Sequence, residues 1–67
     1  MVRSYEELEE AVREALLNTD KSERRIADDT GISYAHINYF KNRKRNLTFP
    51  RLHTLAGYLG IKYNLKN

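Results

Sequence analysis

A single glycine, Gly31, set between two serines that can each open a helix, constrains this chain more than any other feature. Ser22 can offer its hydroxyl to an orphan backbone N–H at the start of a short helix over residues 23–30, with Ile26 as its main buried residue. Ala27 beside it is small where a following helix could cross closely. Gly31 ends that helix, because glycine adopts the left-handed backbone of a sharp stop at little steric cost. Ile32 follows as a buried turn residue, and Ser33 caps the next helix. Helix, a turn of about three residues, helix is the spacing of a helix-turn-helix.

The flanking segments also read as helices. Ser4 and Glu7 match a capping box, in which serine takes the N3 N–H and glutamate reaches back to the cap. Leu8, Ala11, Val12, Ala15 and Leu16 then follow the spacing of one buried stripe. The outer face carries Glu6, Glu9, Glu10 and Glu14, which suit the helix dipole but would repel phosphate. That face is expected to point away from any nucleic acid. No histidine or metal-ligand constellation accompanies these carboxylates, so they read as a solvated face. Residues 18–21 are a turn. Downstream, Thr48 is expected to cap a fourth helix with Phe49 and Pro50 in its first turn, where proline's missing N–H does no harm. Gly60 stops that helix and Ile61 folds back as its apolar contact. The tail, residues 62–67 with Tyr63 and Leu65, reads as a packed tail, with a short fifth helix or a dimer contact as alternatives. The expected architecture is an all-α bundle of four or five short helices forming one domain over residues 1–67.

A chain of 67 residues buries only a modest core. It has no cysteine, which excludes disulfides and thiolate-held metals. No apolar run approaches the roughly 20 residues that span a bilayer. The start turns acidic where a signal peptide would be apolar. The expectation is a soluble, cytoplasmic protein. Its charge is sharply divided. All nine acidic residues lie within positions 1–29, against five basic ones, a balance of −4. From Thr30 onward there are seven basic residues and no acid, so that half is a candidate polyanion-binding face.

Residues 33–45, SYAHINYFKNRKR, concentrate this character. Ile37 and Phe40 mark an apolar stripe. The opposite face carries Ala35, Asn38, Tyr39 and Asn42, with Tyr34 at its edge. Asparagine can pair bidentately with adenine, and Ala35 is small enough to sit against a thymine methyl. Arg43, Lys44 and Arg45 are phosphate-clamp candidates in a basic loop, residues 42–48, where Asn42, Asn46 and Thr48 could add neutral hydrogen bonds. His36 reads as a flank or packing residue, and neither it nor His53 reads as a metal ligand.

Residues 22–40, SERRIADDTGISYAHINYF, resemble the helix-turn-helix of the lambda-repressor/Cro-like (XRE-type) family. Ile26-Ala27, Gly31, Ile32-Ser33, Ile37 and Phe40 meet its spacing, and Phe49, Leu52, Leu55-Ala56, Leu59-Gly60 and Ile61 resemble its fourth helix. The resemblance implies sequence-specific binding of double-stranded DNA, with the helix at residues 33–43 in the major groove. It implies base reading by Tyr34, Ala35 and Tyr39; Asn38 joins them from the helical wheel. It also implies regulation by occupying a site, and often a homodimer on half-sites about one helical turn apart. The residues show no nucleophile–base pattern, P-loop or metal spacing, so neither enzyme activity nor a cofactor is expected. The family often clamps a phosphate with Gln at the start of helix two, where this chain has Glu23. Ser22, Arg24 and the N–H groups there are then the alternative anchor, with Ser33 as a further phosphate candidate.

Two readings stand beside a Cro-like repressor. One is a protein-interaction module, an antitoxin-like partner with the same fold. The other is a designed DNA binder, since a Glu-rich, cleanly amphipathic first helix in so small a chain resembles an idealised scaffold.

Overall fold

A computed structural model describes residues 2–65. Four helices account for most of them: α1 (Tyr5–Asn18), α2 (Glu23–Thr30), α3 (Tyr34–Lys41) and α4 (Phe49–Tyr58). The first three begin as their serines dictate. Ser4, Ser22 and Ser33 accept from the backbone N–H groups of Glu7, Arg25 and His36 at 3.1–3.2 Å. Thr48 holds the N-cap position of α4 with extended backbone, but its hydroxyl makes no capping bond. Proline in the first turn removes one of the two N–H groups that a cap can bind.

The helix ends differ in chemistry. Gly31 adopts φ +77°, and its N–H donates to Ala27 O at 2.9 Å. Thr30 tightens that turn, its hydroxyl donating to Ile26 O and accepting from the Ile32 N–H. Gly60, also at φ +77°, donates to Gly57 O, and Ile61 N–H reaches Ala56 O at 2.8 Å. This paired arrangement is a Schellman stop. α3 ends with the same pair of bonds, Arg43 to Phe40 O and Lys44 to Tyr39 O. There the left-handed residue is Arg43, at φ +61°, rather than a glycine.

The core lies where the four helices meet. Leu8, Val12 and Leu16 of α1 pack with Ile26, Ile32, Ile37, Phe40, Leu52, Leu55 and Ala56. Leu47, within the basic loop, is buried with them and ties that loop to the core. Val2 and Tyr63 form an isolated parallel bridge, and Asn64 N–H donates to Val2 O at 3.1 Å. Leu65 packs against the core. The described part of the tail is therefore a packed tail and not a fifth helix; residues 66 and 67 lie outside the described residues. Among the described residues, no helix is long and apolar enough to cross a membrane.

Candidate nucleic-acid interface

α3 turns Ile37 and Phe40 fully inward, which leaves Tyr34, Ala35 and Tyr39 exposed on its other side. Tyr34 is 50 % exposed and Tyr39 is 41 % exposed, high values for aromatic rings in a chain with so small a core. Each has a guanidinium near its ring: Arg24 at 6.0 Å from Tyr34 and Arg45 at 5.8 Å from Tyr39. These cation–π contacts draw one cation from α2 and one from the basic loop towards the same helix.

Asn38 is placed differently from a free reading residue. It is partly buried, and its Nδ2 donates to Glu23 Oε1 at 3.0 Å. The other carboxylate oxygen of Glu23 accepts from Lys41 Nζ at 2.9 Å. Glu23, at the site of the expected phosphate clamp, thus binds α2 to α3. The Asn38 amide and the Lys41 ammonium hold its carboxyl below the usual glutamate range. Ser22, Glu23, Arg24, Tyr34, Asn38 and Lys41 share a groove of about 490 Å³ with Leu16, Leu17 and Lys21 of the preceding segment.

The loop cations divide into two kinds. Arg43 is forked on Glu10, with Nη1 donating to Oε2 at 2.9 Å and Nη2 to Oε1. This pair keeps the Glu10 carboxyl below its usual range, helped by Arg13. The glutamate-bearing face of α1 therefore does not simply point away from the basic loop. Its Glu10 leans onto the loop because a bidentate arginine is a strong partner for a carboxylate. Lys44 and Arg45 are exposed and form no ion pair among the described residues.

The neutral candidates are partly committed. Asn42 donates its side-chain N–H to Asn38 O at 3.0 Å, closing the end of α3. Asn46 Oδ1 accepts from Arg13 Nη2 at 3.3 Å. Ser22 and Ser33 spend their acceptors on helix caps but keep their hydroxyl protons. Thr48 is exposed.

Sequence reasoning missed Arg13. It is only 7 % exposed, with its guanidinium 4.3 Å from the centre of the Phe40 ring and its Nε donating to Phe40 O at 2.9 Å. It also bonds Glu10 and Asn46, so one buried cation ties α1 to the end of α3 and to the loop. The signal in the chain is slight: Glu10 and Arg13 stand three apart, where helical neighbours pair. His36 is exposed, and His53 Nδ1 is hydrogen-bonded to the Tyr63 hydroxyl. No family model, curated protein or solved structure matches the chain.

Proposed function

We propose that this chain binds double-stranded DNA sequence-specifically, as a helix-turn-helix protein of the lambda-repressor/Cro-like (XRE-type) kind. α2 and α3 form the reading unit, and α3 enters the major groove. One observation carries the proposal. The exposed side of α3 presents Tyr34, Ala35 and Tyr39, and runs directly into Lys44 and Arg45, which no carboxylate neutralises among the described residues. A polar, slim helix face beside uncompensated cations matches a major groove about 12 Å wide flanked by phosphates.

In this reading Tyr34, Ala35, Asn38 and Tyr39 meet base edges. Lys44, Arg45 and Arg24 meet phosphates, with Ser22, Ser33, Asn42, Asn46 and Thr48 as neutral donors. Arg43 joins only by leaving Glu10. Phosphate contacts fix register and base contacts supply sequence preference. The bound chain then acts by occupancy, excluding polymerase or another regulator from the site.

A protein-interaction role is favoured by a different observation. Glu10 neutralises Arg43 and Glu23 neutralises Lys41, so two cations beside α3 are withdrawn from any polyanion. Titrating isotope-labelled protein with a pool of mixed-sequence duplexes at low salt separates the two. DNA binding predicts amide shifts concentrated in residues 33–46 and at the start of α2. Unmoved resonances there would leave the protein-partner reading standing.

A further inference from the structure

The two ends of an asparagine amide are chemical opposites, a donor and an acceptor, and at Asn38 the neighbours decide which end faces outward. Glu23 opens α2, and Asn38 lies midway along α3. An ionised carboxylate only accepts hydrogen bonds, and a lysine ammonium only donates them. Lys41 occupies one oxygen of Glu23 and keeps it charged, which leaves the other for Asn38. Only Nδ2 can face that oxygen. Reversing the amide would set Oδ1 against a carboxylate oxygen with no proton between them. The orientation thus follows from donor and acceptor chemistry and not from the shape of the amide.

The consequence lies at the other end of the amide. No described residue donates to Asn38 Oδ1, yet no buried side-chain oxygen or nitrogen lacks a partner among the described residues. Oδ1 therefore keeps some contact with solvent, and Asn38 lines the same groove as Tyr34.

We propose that Glu23 sets the base preference of this chain by holding Asn38 with its amide oxygen outward, so that Asn38 selects base edges bearing an exocyclic amine. In the major groove those are adenine, through N6, and cytosine, through N4; guanine O6 and thymine O4 are acceptors and would face another acceptor. Adenine is the better match, since the second Nδ2 proton remains free to donate to N7 while Oδ1 accepts from N6. The inference rests on the DNA reading above and adds to it the class of base edge. Glu23 touches no DNA in this scheme. It is a positioning residue acting through Asn38, and its carboxylate fixes the amide because a carboxylate cannot donate. Glutamine can donate or accept, and would let the Asn38 amide turn over.

The test is selection from a random duplex library with the wild-type chain, Glu23→Gln and Asn38→Ala, with helical content and melting checked by circular dichroism. Glu23→Gln is nearly isosteric but offers one acceptor oxygen where the carboxylate offers two, so Lys41 and Asn38 can no longer both be held as in the wild type. The wild type is expected to show one position preferring adenine, or next cytosine, that Asn38→Ala abolishes. Glu23→Gln should lower the preference at that position alone by about tenfold, the range of one good base contact. An unchanged preference in Glu23→Gln would overturn the role of Glu23. A wild-type motif in which Asn38→Ala alters no position would overturn the inference and leave DNA binding intact. A wild type that selects no motif would overturn the DNA reading and this inference with it. A readout without DNA is the Asn38 side-chain amide resonance. It should be shifted from free asparagine in the wild type and return towards it in Glu23→Gln, and identical resonances in both would contradict the lock.

Discussion

Arg13 and Phe40 are joined twice. The guanidinium stacks 4.3 Å from the ring centre while its Nε donates to the carbonyl of the same residue at 2.9 Å. Phe40 is fully buried at the end of α3, so the contact fixes both the side chain that fills the core and the backbone from which the basic loop departs. Arg13→Ala should destabilise the fold by about 2 kcal/mol, through a lost charge-assisted bond, a lost cation–π contact and a small void. Arg13→Lys should recover little of this, because ammonium lacks the planar fork that also reaches Glu10 and Asn46. Urea denaturation measures both, and a loss under about 0.5 kcal/mol for Arg13→Ala would remove the residue from this role.

Arg43 occupies a left-handed position that costs an ordinary residue about 1–2 kcal/mol. Its ion pair with Glu10 is exposed and offsets only a part of that. Arg43→Gly should therefore raise stability by about 1 kcal/mol. Gly60→Ala should lower it by a similar amount, purely through the backbone, since an added Cβ there meets no atom within 4 Å. Thermal melts of the two variants should move in opposite directions, and melts moving the same way would contradict the backbone account.

Acid stability follows from carboxylates held by partners on other segments: Glu23, Glu10 and, through Tyr58 of α4, Asp29. Partners depress the folded-state pKa of Glu23, by the Asn38 bond first and Lys41 second, and of Glu10, by Arg43 first. A depressed carboxylate stabilises the fold above its unfolded pKa of about 4.3 and loses that contribution as pH falls through the lower folded value. Stability should thus hold from neutral pH to the ordinary carboxylate range and fall below it. Glu23→Gln should flatten that fall, and a fall of undiminished steepness would show that the Glu23 carboxylate does not drive it.

The three serine caps, the two glycine stops and the apolar stripes were legible because each is a local rule: a hydroxyl for an orphan N–H, a residue without Cβ for positive φ, a period for a face. The Arg43–Glu10 pair, the buried Arg13 and the Glu23–Asn38 bond were not, for a common reason. Each depends on a partner 15 or more residues away, and the chain order names no partner for an isolated charge. Leu47 was hidden by its surroundings, one apolar residue inside a run that reads as a cationic loop. Thr48 opens α4 as its position implied but makes no capping bond, since the proline two residues on takes away a donor that its hydroxyl could have capped.

The loop cations should separate by salt dependence. Lys44→Ala and Arg45→Ala should weaken binding to every duplex and each reduce the slope of log affinity against log salt by about 0.9. Glu10→Gln should strengthen binding and steepen the slope, because it releases Arg43 from its carboxylate. Anisotropy at four or five salt concentrations reads all three; an unchanged slope would remove the residue concerned from the phosphate contacts.

The most direct test of sequence reading by α3 is to select the wild-type chain against random duplex DNA, then compare the winning duplex with a scrambled one by anisotropy at near-physiological salt. The account predicts a defined motif bound at least a thousandfold more tightly than the scramble, about 4 kcal/mol. The symmetry of that motif reports one copy or two. Equal, weak binding to both duplexes would contradict it, leaving Lys44 and Arg45 as a merely basic surface and Tyr34, Ala35, Asn38 and Tyr39 without a base to read.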